Sequence, residues 1–154
     1  MGGEIQAKDV MQRNVITVSP DLSLAQARDI FARSNISGAP VVDEEGLCGV
    51  ISLADIVRVA LSKDFDDFPD ASYFLGFPAF YTSELSGSLN QNLEQRLVED
   101  AMTEYVYTVT PDERISVVAL TMRQHHIHRV IVVEGANVVG IITTLDLIQV
   151  LEKH

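Results

Sequence analysis

Hydrophobic and polar positions follow two different spacings near the start of this chain. A β-branched run at 15–18, closed by Pro20, predicts a short strand. Apolar residues then recur at helical spacing over 24–31. Ser23 with Gln26 fits a capping box at the start of this helix. The chain is therefore expected to begin with a strand followed by a helix.

A hairpin and a second helix are expected next. Apolar runs at 39–42 and 47–51 predict two strands, and the Asp, Glu and Gly residues between them suit a tight turn. A helix then starts at Ser52 and carries one apolar face of Leu53, Ile56, Val57 and Ala60. The whole unit reads strand, helix, strand, strand, helix.

The same unit occurs a second time, about 91 residues later. Asp9-Val10-Met11 falls on Asp100-Ala101-Met102, and Gly49-Val50-Ile51-Ser52 falls on Gly140-Ile141-Ile142-Thr143. Arg114 replaces the serine cap of the first copy. One copy is too small to bury its apolar face alone. We therefore predict an α+β, sandwich-like fold of two β-α-β-β-α repeats, related by a pseudo-twofold axis and packed through their sheets.

A different segment at 62–97 separates the repeats, which are expected at 1–61 and 98–154. It holds seven of the ten aromatic residues and four aspartates. It could be a lid that packs its aromatics onto the repeats, or a surface for a partner or a second copy. A flexible linker is the least favoured interpretation because so many rings are large and apolar. The leucines at the end of the segment predict a helix at 89–97.

Composition narrows the function. The 11 Lys and Arg against 22 Asp and Glu give a net charge of −11 and a pI near 4.6. A general nucleic-acid binder needs a basic face, so that class is disfavoured, as is attachment to anionic membranes. Hydrophobic residues make up 47%, which is enough for a core.

The chain shows no targeting or membrane signal. Its apolar runs are far shorter than the ~20 residues that cross a bilayer, and no basic segment precedes an apolar one at the N-terminus. A single cysteine, Cys48, cannot form an internal disulfide. We expect a cytoplasmic protein in which Cys48, within an apolar run, is an inert thiol.

Two copies of a hydroxyl-x-x-Asp motif begin the last helix of each repeat: Ser52 with Asp55, and Thr143 with Asp146. One interpretation is a capping box that satisfies free backbone N–H groups. The other is a ligand site, since a helix N-terminus attracts phosphate and a carboxylate can accept from two ribose hydroxyls. Spacing alone does not separate the two.

The segments before the middle strands are a second candidate. Gly38 and Ala39 would let the backbone approach a flat ligand, and Arg129 offers a fork for phosphate. His125 and His126 are expected at the polar end of a helix, and no His spacing matches a closed metal site. Nucleophile elbows, P-loops and dinucleotide fingerprints are absent from the sequence, so no enzymatic activity is expected.

In their order, these motifs resemble a tandem pair of cystathionine-β-synthase (CBS) domains, often called a Bateman module. The match rests on Asp-Val/Ala-Met, Thr-Val-Ser/Thr-Pro-Asp and Gly-Val/Ile-Ile-Ser/Thr-x-x-Asp, each present twice, and covers the chain outside 62–97 and the termini. The resemblance implies regulatory binding of adenosine-containing ligands in two clefts between the repeats. AMP, ADP and ATP are typical, and some members bind S-adenosylmethionine or dinucleotides such as NAD.

The resemblance also implies the residues of each cleft. One cleft would combine Thr143 and Asp146 with Thr17, Ser37, Gly38, Ala39 and Pro40. The other would combine Ser52 and Asp55 with Thr108, His128, Arg129 and Val130. The implied roles are Asp for ribose, Ser or Thr for phosphate, apolar strand edges for adenine, and His128 with Arg129 for phosphate.

The sequence departs from the family pattern in three places, one of which is the long aromatic segment, since it is not a usual part of the module. Ile131 stands where a proline like Pro40 is usual, and the first cleft lacks an arginine of its own. A phosphate would therefore depend on Arg129 and the helix N-termini, and Mg²⁺ could assist it.

Two functions follow. The first is a regulatory sensor that shifts between two packings and acts as a homodimer or through an effector protein. The alternative is an interaction module without ligand that works through dimerisation and the aromatic segment.

Overall fold

The computed structural model describes residues 3–61, 92–104 and 106–153. The chain divides into two compact units. The repeat-1 unit comprises Thr17–Asp43 and Cys48–Glu104, and the repeat-2 unit comprises Met1–Ile16, Glu44–Leu47 and Tyr105–His154. Each unit holds the body of one sequence repeat and is described separately below.

The chain contains both helices and strands in each unit, which confirms the predicted α+β fold class. In chain order the labelled elements are α1 (Ala7–Val10), α2 (Leu24–Ser34), β1 (Gly38–Asp43), β2 (Gly46–Ser52), α3 (Leu53–Leu61), α4 (Val98–Ala101), β3 (Thr108–Val109), α5 (Ile115–Gln124), β4 (Arg129–Glu134), β5 (Asn137–Thr143) and α6 (Thr144–Lys153). β1 and β2 form one sheet. In the other sheet, β3 runs parallel to β4 and β4 runs antiparallel to β5.

The strand predicted at 15–18 is wrong in extent. Only Val18 pairs, through a parallel bridge to Val41, and the second copy is the two-residue strand β3. In the first copy, though not in the second, the chain passes from one unit to the other within the run, after Ile16. A run divided between two units cannot pair along a single sheet edge.

Helix starts follow the sequence closely. The Ser23 hydroxyl accepts from the Gln26 backbone N–H at 3.1 Å, and the Ser23 N–H donates to the Gln26 side chain at 2.9 Å. This confirms the predicted capping box of α2. Arg114, at the start of α5, makes no capping bond and pairs with Glu4 at 2.8 Å.

Each unit has its own hydrophobic core. α2 turns Leu24, Ala27 and Phe31 of its predicted face into the core of the repeat-1 unit. α3 buries Ile56 and Ala60 of its predicted face, whereas Leu53 of that face is 41% exposed. The repeat-1 core includes Leu24, Ala27, Phe31, Val41, Ile51 and Ile56. The repeat-2 core includes Met11, Val118, Met122, Val130, Val132 and Ile142.

The short helix at the start of each repeat belongs to the unit of the other repeat. α1 is early in the chain, yet Met11 lies against Gly140, where an added Cβ would be 2.5 Å from the Met11 Sδ. α4 begins the second repeat, yet Met102 lies against Gly49, where an added Cβ would be 2.9 Å from the Met102 Sδ. The repeated Met and Gly therefore form a knob and a hole at one site in each unit.

Equivalent backbone bonds hold the two exchanged helices. Ala7 N–H donates to Glu113 O, and Val98 N–H donates to Leu22 O, both at 2.8 Å. The borders predicted at 1–61, 62–97 and 98–154 are borders between sequence repeats and stay predictions.

The predicted helix at 89–97 is helical over 92–95, after which Leu97 bridges to Ser23. The aromatic residues of the segment 62–97 lie outside the described residues. The pseudo-twofold axis and the packing between the two sheets relate one unit to the other, and they stay predictions. Within the described ranges, no helix has the length and apolar character needed to cross a membrane.

Candidate functional site

The first hydroxyl-x-x-Asp motif lies at the junction of β2 and α3. The Asp55 Oδ2 accepts from the Ser52 backbone N–H at 2.9 Å and from the Ser52 hydroxyl at 3.0 Å. The Asp55 N–H donates back to the Ser52 Oγ at 3.2 Å. The capping interpretation is confirmed here. The other carboxylate oxygen, Oδ1, accepts from Arg58 at 3.0 Å.

The second motif repeats this geometry at the junction of β5 and α6. The Asp146 Oδ2 accepts from the Thr143 N–H at 2.8 Å and the Thr143 hydroxyl at 3.0 Å. Asp146 is 9% exposed and, among the residues that the structure describes, is the one charged residue that is buried. Its capping role is likewise confirmed, and the carboxylate retains acceptor capacity on Oδ1.

The start of the middle strand lies beside each of these helix N-termini. Leu53 N–H donates to Ser37 O at 2.7 Å, and Thr144 N–H donates to His128 O at 3.0 Å. In the sheet register, Arg129 faces Thr143 across the ladder. Each unit therefore gathers its own hydroxyl, carboxylate and middle-strand segment at one end of its sheet.

The predicted site residues divide between the units by repeat. The repeat-1 unit holds Thr17, Ser37, Gly38, Ala39, Pro40, Ser52 and Asp55, and the repeat-2 unit holds Thr108, His128, Arg129, Val130, Thr143 and Asp146. Gly38, Ala39, Pro40 and Val130 are buried, whereas the others are exposed or half-buried apart from Asp146. Both predicted clefts combine residues of the two units, and they stay predictions.

Gln12 contacts a predicted ligand residue and was not predicted from the sequence. Its side-chain amide donates to both carboxylate oxygens of Asp146, at 3.1 and 3.2 Å. The two residues are 134 positions apart, so no local spacing could have linked them. The available signal was the position of Gln12 directly after the repeated Asp-Val-Met.

A groove between the two longer helices occurs in each unit, at equivalent positions. The repeat-1 groove has a volume of about 420 Å³ and is lined by residues including Arg28, Phe31, Ser37 and Leu53. The repeat-2 groove has a volume of about 540 Å³ and is lined by residues including Met122, Arg123, His126, His128 and Leu147. The second groove therefore has two imidazoles in its lining where the first groove has Asn35 and Ser37.

The histidines lie where the pattern placed them. His125 ends α5 and stacks on Tyr107, with ring centroids 4.1 Å apart, and His126 adopts a left-handed turn with φ of 54°. This confirms that they form the polar end of the helix. Across 3–61, 92–104 and 106–153, no group of three His, Cys, Asp or Glu residues is placed to hold a metal ion.

Cys48 is half-buried on β2, and its thiol donates to the Val41 carbonyl at 3.3 Å. Burial raises the pKa of the Cys48 thiol, and the negative charge of Asp43 raises it further. A thiol with a raised pKa is a poor nucleophile, which agrees with the expected inert role.

Known proteins are similar to this chain over almost its whole length. Protein MJ1426 of Methanocaldococcus jannaschii is 33% identical over 160 residues, covering 98% of this chain and 94% of that protein. Protein MJ1225 of the same organism is 30% identical over 145 residues, but this chain spans only 42% of its length. The crystal structure of the CBS domain pair of protein MJ0100, in complex with 5′-methylthioadenosine and S-adenosyl-L-methionine, matches with a TM-score of 0.68 and 26% identity, covering 98% of each chain.

The family assignment rests on the repeat itself. The sequence model of the CBS domain matches residues 7–62 and again residues 98–153. These two ranges contain both hydroxyl-x-x-Asp motifs and both Met–Gly contacts. The chain belongs to the CBS domain family and carries two CBS domains in tandem.

Proposed function

We propose that this CBS pair binds adenosine-containing small molecules and serves as a regulatory sensor of them. The observation that carries the proposal is the same in both units: a largely buried aspartate one turn into a helix, held by the hydroxyl at the helix start, beside the first residues of the middle strand. The complex of MJ0100 with 5′-methylthioadenosine and S-adenosylmethionine, at 26% identity, supports the ligand class.

The chemistry of the arrangement suits a nucleoside. Asp55 and Asp146 can accept hydrogen bonds from the two vicinal hydroxyls of ribose, because a carboxylate offers about four acceptor positions. The N-termini of α3 and α6 present backbone N–H groups and a positive helix-dipole end. The hydroxyls of Ser52 and Thr143 donate to the carboxylates in this structure, so each would donate to a phosphate oxygen only in exchange for that bond. In this proposal each carboxylate is both a cap and a ribose ligand.

Phosphorylated ligands would depend on the repeat-2 unit. The exposed residues His128 and Arg129 stand there at the positions that Ser37 and Gly38 occupy in the repeat-1 unit. A guanidinium offers a planar fork that matches phosphate. We therefore propose AMP, ADP or ATP as ligands that use Arg129, with Mg²⁺ accompanying ATP. A cytoplasmic location, where these nucleotides are abundant, belongs to the same proposal.

Thermal unfolding with a ligand panel tests this function. A ligand at 100 times its Kd should stabilise the protein by about 2.7 kcal/mol. We expect a rise in Tm with at least one of 5′-methylthioadenosine, S-adenosylmethionine, AMP, ADP and ATP, the last with and without Mg²⁺. NAD extends the panel, and GTP is the control for the base. Absence of any shift at millimolar concentrations would contradict the proposal.

The variant Arg129→Ala separates the two ligand types. The shift with AMP or ATP should shrink, because the phosphate loses a charged partner, while the shift with 5′-methylthioadenosine should remain. Equal losses for both ligands would show that Arg129 has no specific role in binding phosphate.

One observation favours the interaction function as a second candidate. α5 and α6 expose five large apolar side chains, of which Leu145 is 62% and Leu151 is 76% exposed; the others are Val117, Leu120 and Ile148. The corresponding positions in repeat 1 are Gln26, Asp29, Ala54, Val57 and Ala60. These five side chains, called the apolar face below, belong to repeat 2; in repeat 1, α3 exposes Leu53 instead.

We propose that a second copy of the chain covers this face. Two chains of net charge −11 repel each other, so a self-interface needs a surface of low charge. α5 contains no acidic residue, and the exposed charges of α6 are Glu152 and Lys153, which cancel. A homodimer formed through this face is compatible with the sensor function and with the interaction function.

A further inference from the structure

The side chain of Gln12 contacts the Asp146 carboxylate at the position proposed for a ligand. The Nε2 of Gln12 lies 3.1 Å from Oδ1 and 3.2 Å from Oδ2, so one amide group spans both oxygens. The Gln12 backbone is fixed as well. Its N–H donates to Ile141 O at 2.8 Å, and Ile141 N–H donates to Gln12 O at 3.0 Å.

Counting acceptor positions shows a conflict with ribose. The Asp146 Oδ2 already accepts from the N–H and the hydroxyl of Thr143 before Gln12 is considered. A carboxylate oxygen offers about two acceptor positions, so Oδ2 has none left for a further donor. Both hydroxyls of a vicinal diol would then have to donate to Oδ1, where the Gln12 amide already holds one of about two acceptor positions. The diol and Gln12 therefore compete.

The equivalent carboxylate in the other repeat has a weaker competitor. The position that corresponds to Gln12 is Thr103, whose backbone makes the same bridge, to Val50. The Asp55 Oδ1 is instead paired with Arg58, three residues along the same helix, and the Arg58 side chain is 68% exposed. An exposed pair of this kind contributes little and is easily exchanged for another partner. Gln12 is exposed as well, but its amide spans both oxygens of Asp146, which is more buried than Asp55.

We propose that Gln12 is an affinity-setting residue that occupies the ribose-binding carboxylate of Asp146 when no ligand is bound. The Asp55 site then fills first, and the Asp146 site fills only at concentrations at which a vicinal diol displaces the Gln12 amide. The inference rests on the proposed function, because it takes Asp146 to be a ribose ligand. It adds that the two sites of the pair have different affinities and names the side chain responsible.

Calorimetric titration with 5′-methylthioadenosine tests the inference. The Asp55→Asn background removes the first site and leaves the Asp146 site to be measured alone. In that background, Gln12→Met keeps the length of the side chain and deletes the amide donor. A net hydrogen bond to a charged group then no longer has to be broken, so affinity should rise about tenfold. Thr103→Val is the matched control and should leave the affinity unchanged.

A second ligand makes the readout specific to the diol. 2′,3′-Dideoxyadenosine lacks both hydroxyls, so Gln12→Met should bring it no gain. Circular dichroism of each variant confirms that the fold is retained, and Gln12→Ala serves if the methionine variant does not fold.

The outcomes are distinct. Binding of 5′-methylthioadenosine that Gln12→Met leaves unchanged or weakens overturns the inference while the proposed function stands. A gain of equal size for the dideoxy compound overturns it as well, since the competition would not involve the diol. If the wild-type chain and every variant fail to bind, the proposed function and this inference fail together.

Discussion

The contact between Met11 and Gly140 offers a test of the exchanged helices. A methyl group added at Gly140 would lie 2.5 Å from the Sδ, 2.8 Å from the Cγ and 3.0 Å from the Cβ of Met11. Carbon atoms in favourable contact are about 3.5–4.0 Å apart. Gly140→Ala therefore forces the Met11 side chain, and with it α1, away from β5.

The size of the effect follows from these distances. Overpacking of this kind costs about 1–3 kcal/mol, and the lower chain entropy of alanine in the unfolded state offsets about 0.4–1 kcal/mol. Met11 is 9% exposed, so Met11→Ala should cost about 2 kcal/mol, the lower end for a buried methionine. In the double variant the Sδ and Cγ atoms are gone and the Cβ contact at 3.0 Å remains, so its cost should be close to that of Met11→Ala alone.

Urea unfolding followed by circular dichroism gives the free energy of unfolding of the wild type, the two single variants and the double variant. The double variant should be more stable, by about 1 kcal/mol or more, than the sum of the two single losses would make it. The pair Gly49→Ala and Met102→Ala is the control, because there the added methyl group also meets the Thr103 carbonyl at 2.8 Å. That backbone clash persists in the double variant, so relief should be smaller. Additivity within about 0.5 kcal/mol for Met11 and Gly140 would refute the contact.

Three further predictions concern the site, the apolar face and the thiol. Asp146→Ala should lower the free energy of unfolding by about 1 kcal/mol through loss of the cap and should also weaken binding of adenosine ligands; stability loss with unchanged affinity would leave Asp146 as a cap only. Leu145→Lys places a charge on the apolar face of α6 and should shift the sedimentation coefficient from dimer to monomer, whereas Ala54→Lys, at the matched position in repeat 1, should not. Because the pKa of the Cys48 thiol is raised, less thiolate forms at pH 8, and alkylation by iodoacetamide should be slower in the folded protein than in the same chain unfolded in urea; equal rates would contradict the burial of the thiol.

Local features of the fold were predictable from the sequence because local residues determine them. The capping box of Ser23 needs only Gln26, three residues away, and the hairpin turn needs only the residues between β1 and β2. The strand at 15–18 was not predictable in its true extent. Its β-branched residues favour a strand, but the chain leaves one unit and enters the other within that run.

The exchange of α1 and α4 could not be read from the sequence for a different reason. Both repeats carry the same methionine and the same glycine, so Met11 could match Gly49 as well as Gly140. Repetition makes the two pairings equivalent in pattern. Only the path of the chain decides between them, and the path places Met11 against Gly140.

The candidate site was predictable in part. The hydroxyl and carboxylate of each repeat were identified from their spacing, and the structure shows the bonds within each motif. The Gln12 amide on Asp146 was missed, because it depends on a contact between residues 134 positions apart. The net charge predicted the site only in general terms. A net charge of −11 disfavours general binding of nucleic acids, but it does not identify the cationic residues that would bind a phosphate.

Calorimetric titration of adenosine ligands into the wild-type chain and into the Asp55→Asn, Asp146→Asn double variant tests the central claim most directly. The account predicts saturable binding of 5′-methylthioadenosine or an adenine nucleotide to the wild type. The double variant, folded by circular dichroism, should show no binding of the same ligand. Undiminished affinity in the double variant, or no binding of any adenosine ligand to the wild type, would contradict the assignment of these carboxylates to a ligand site.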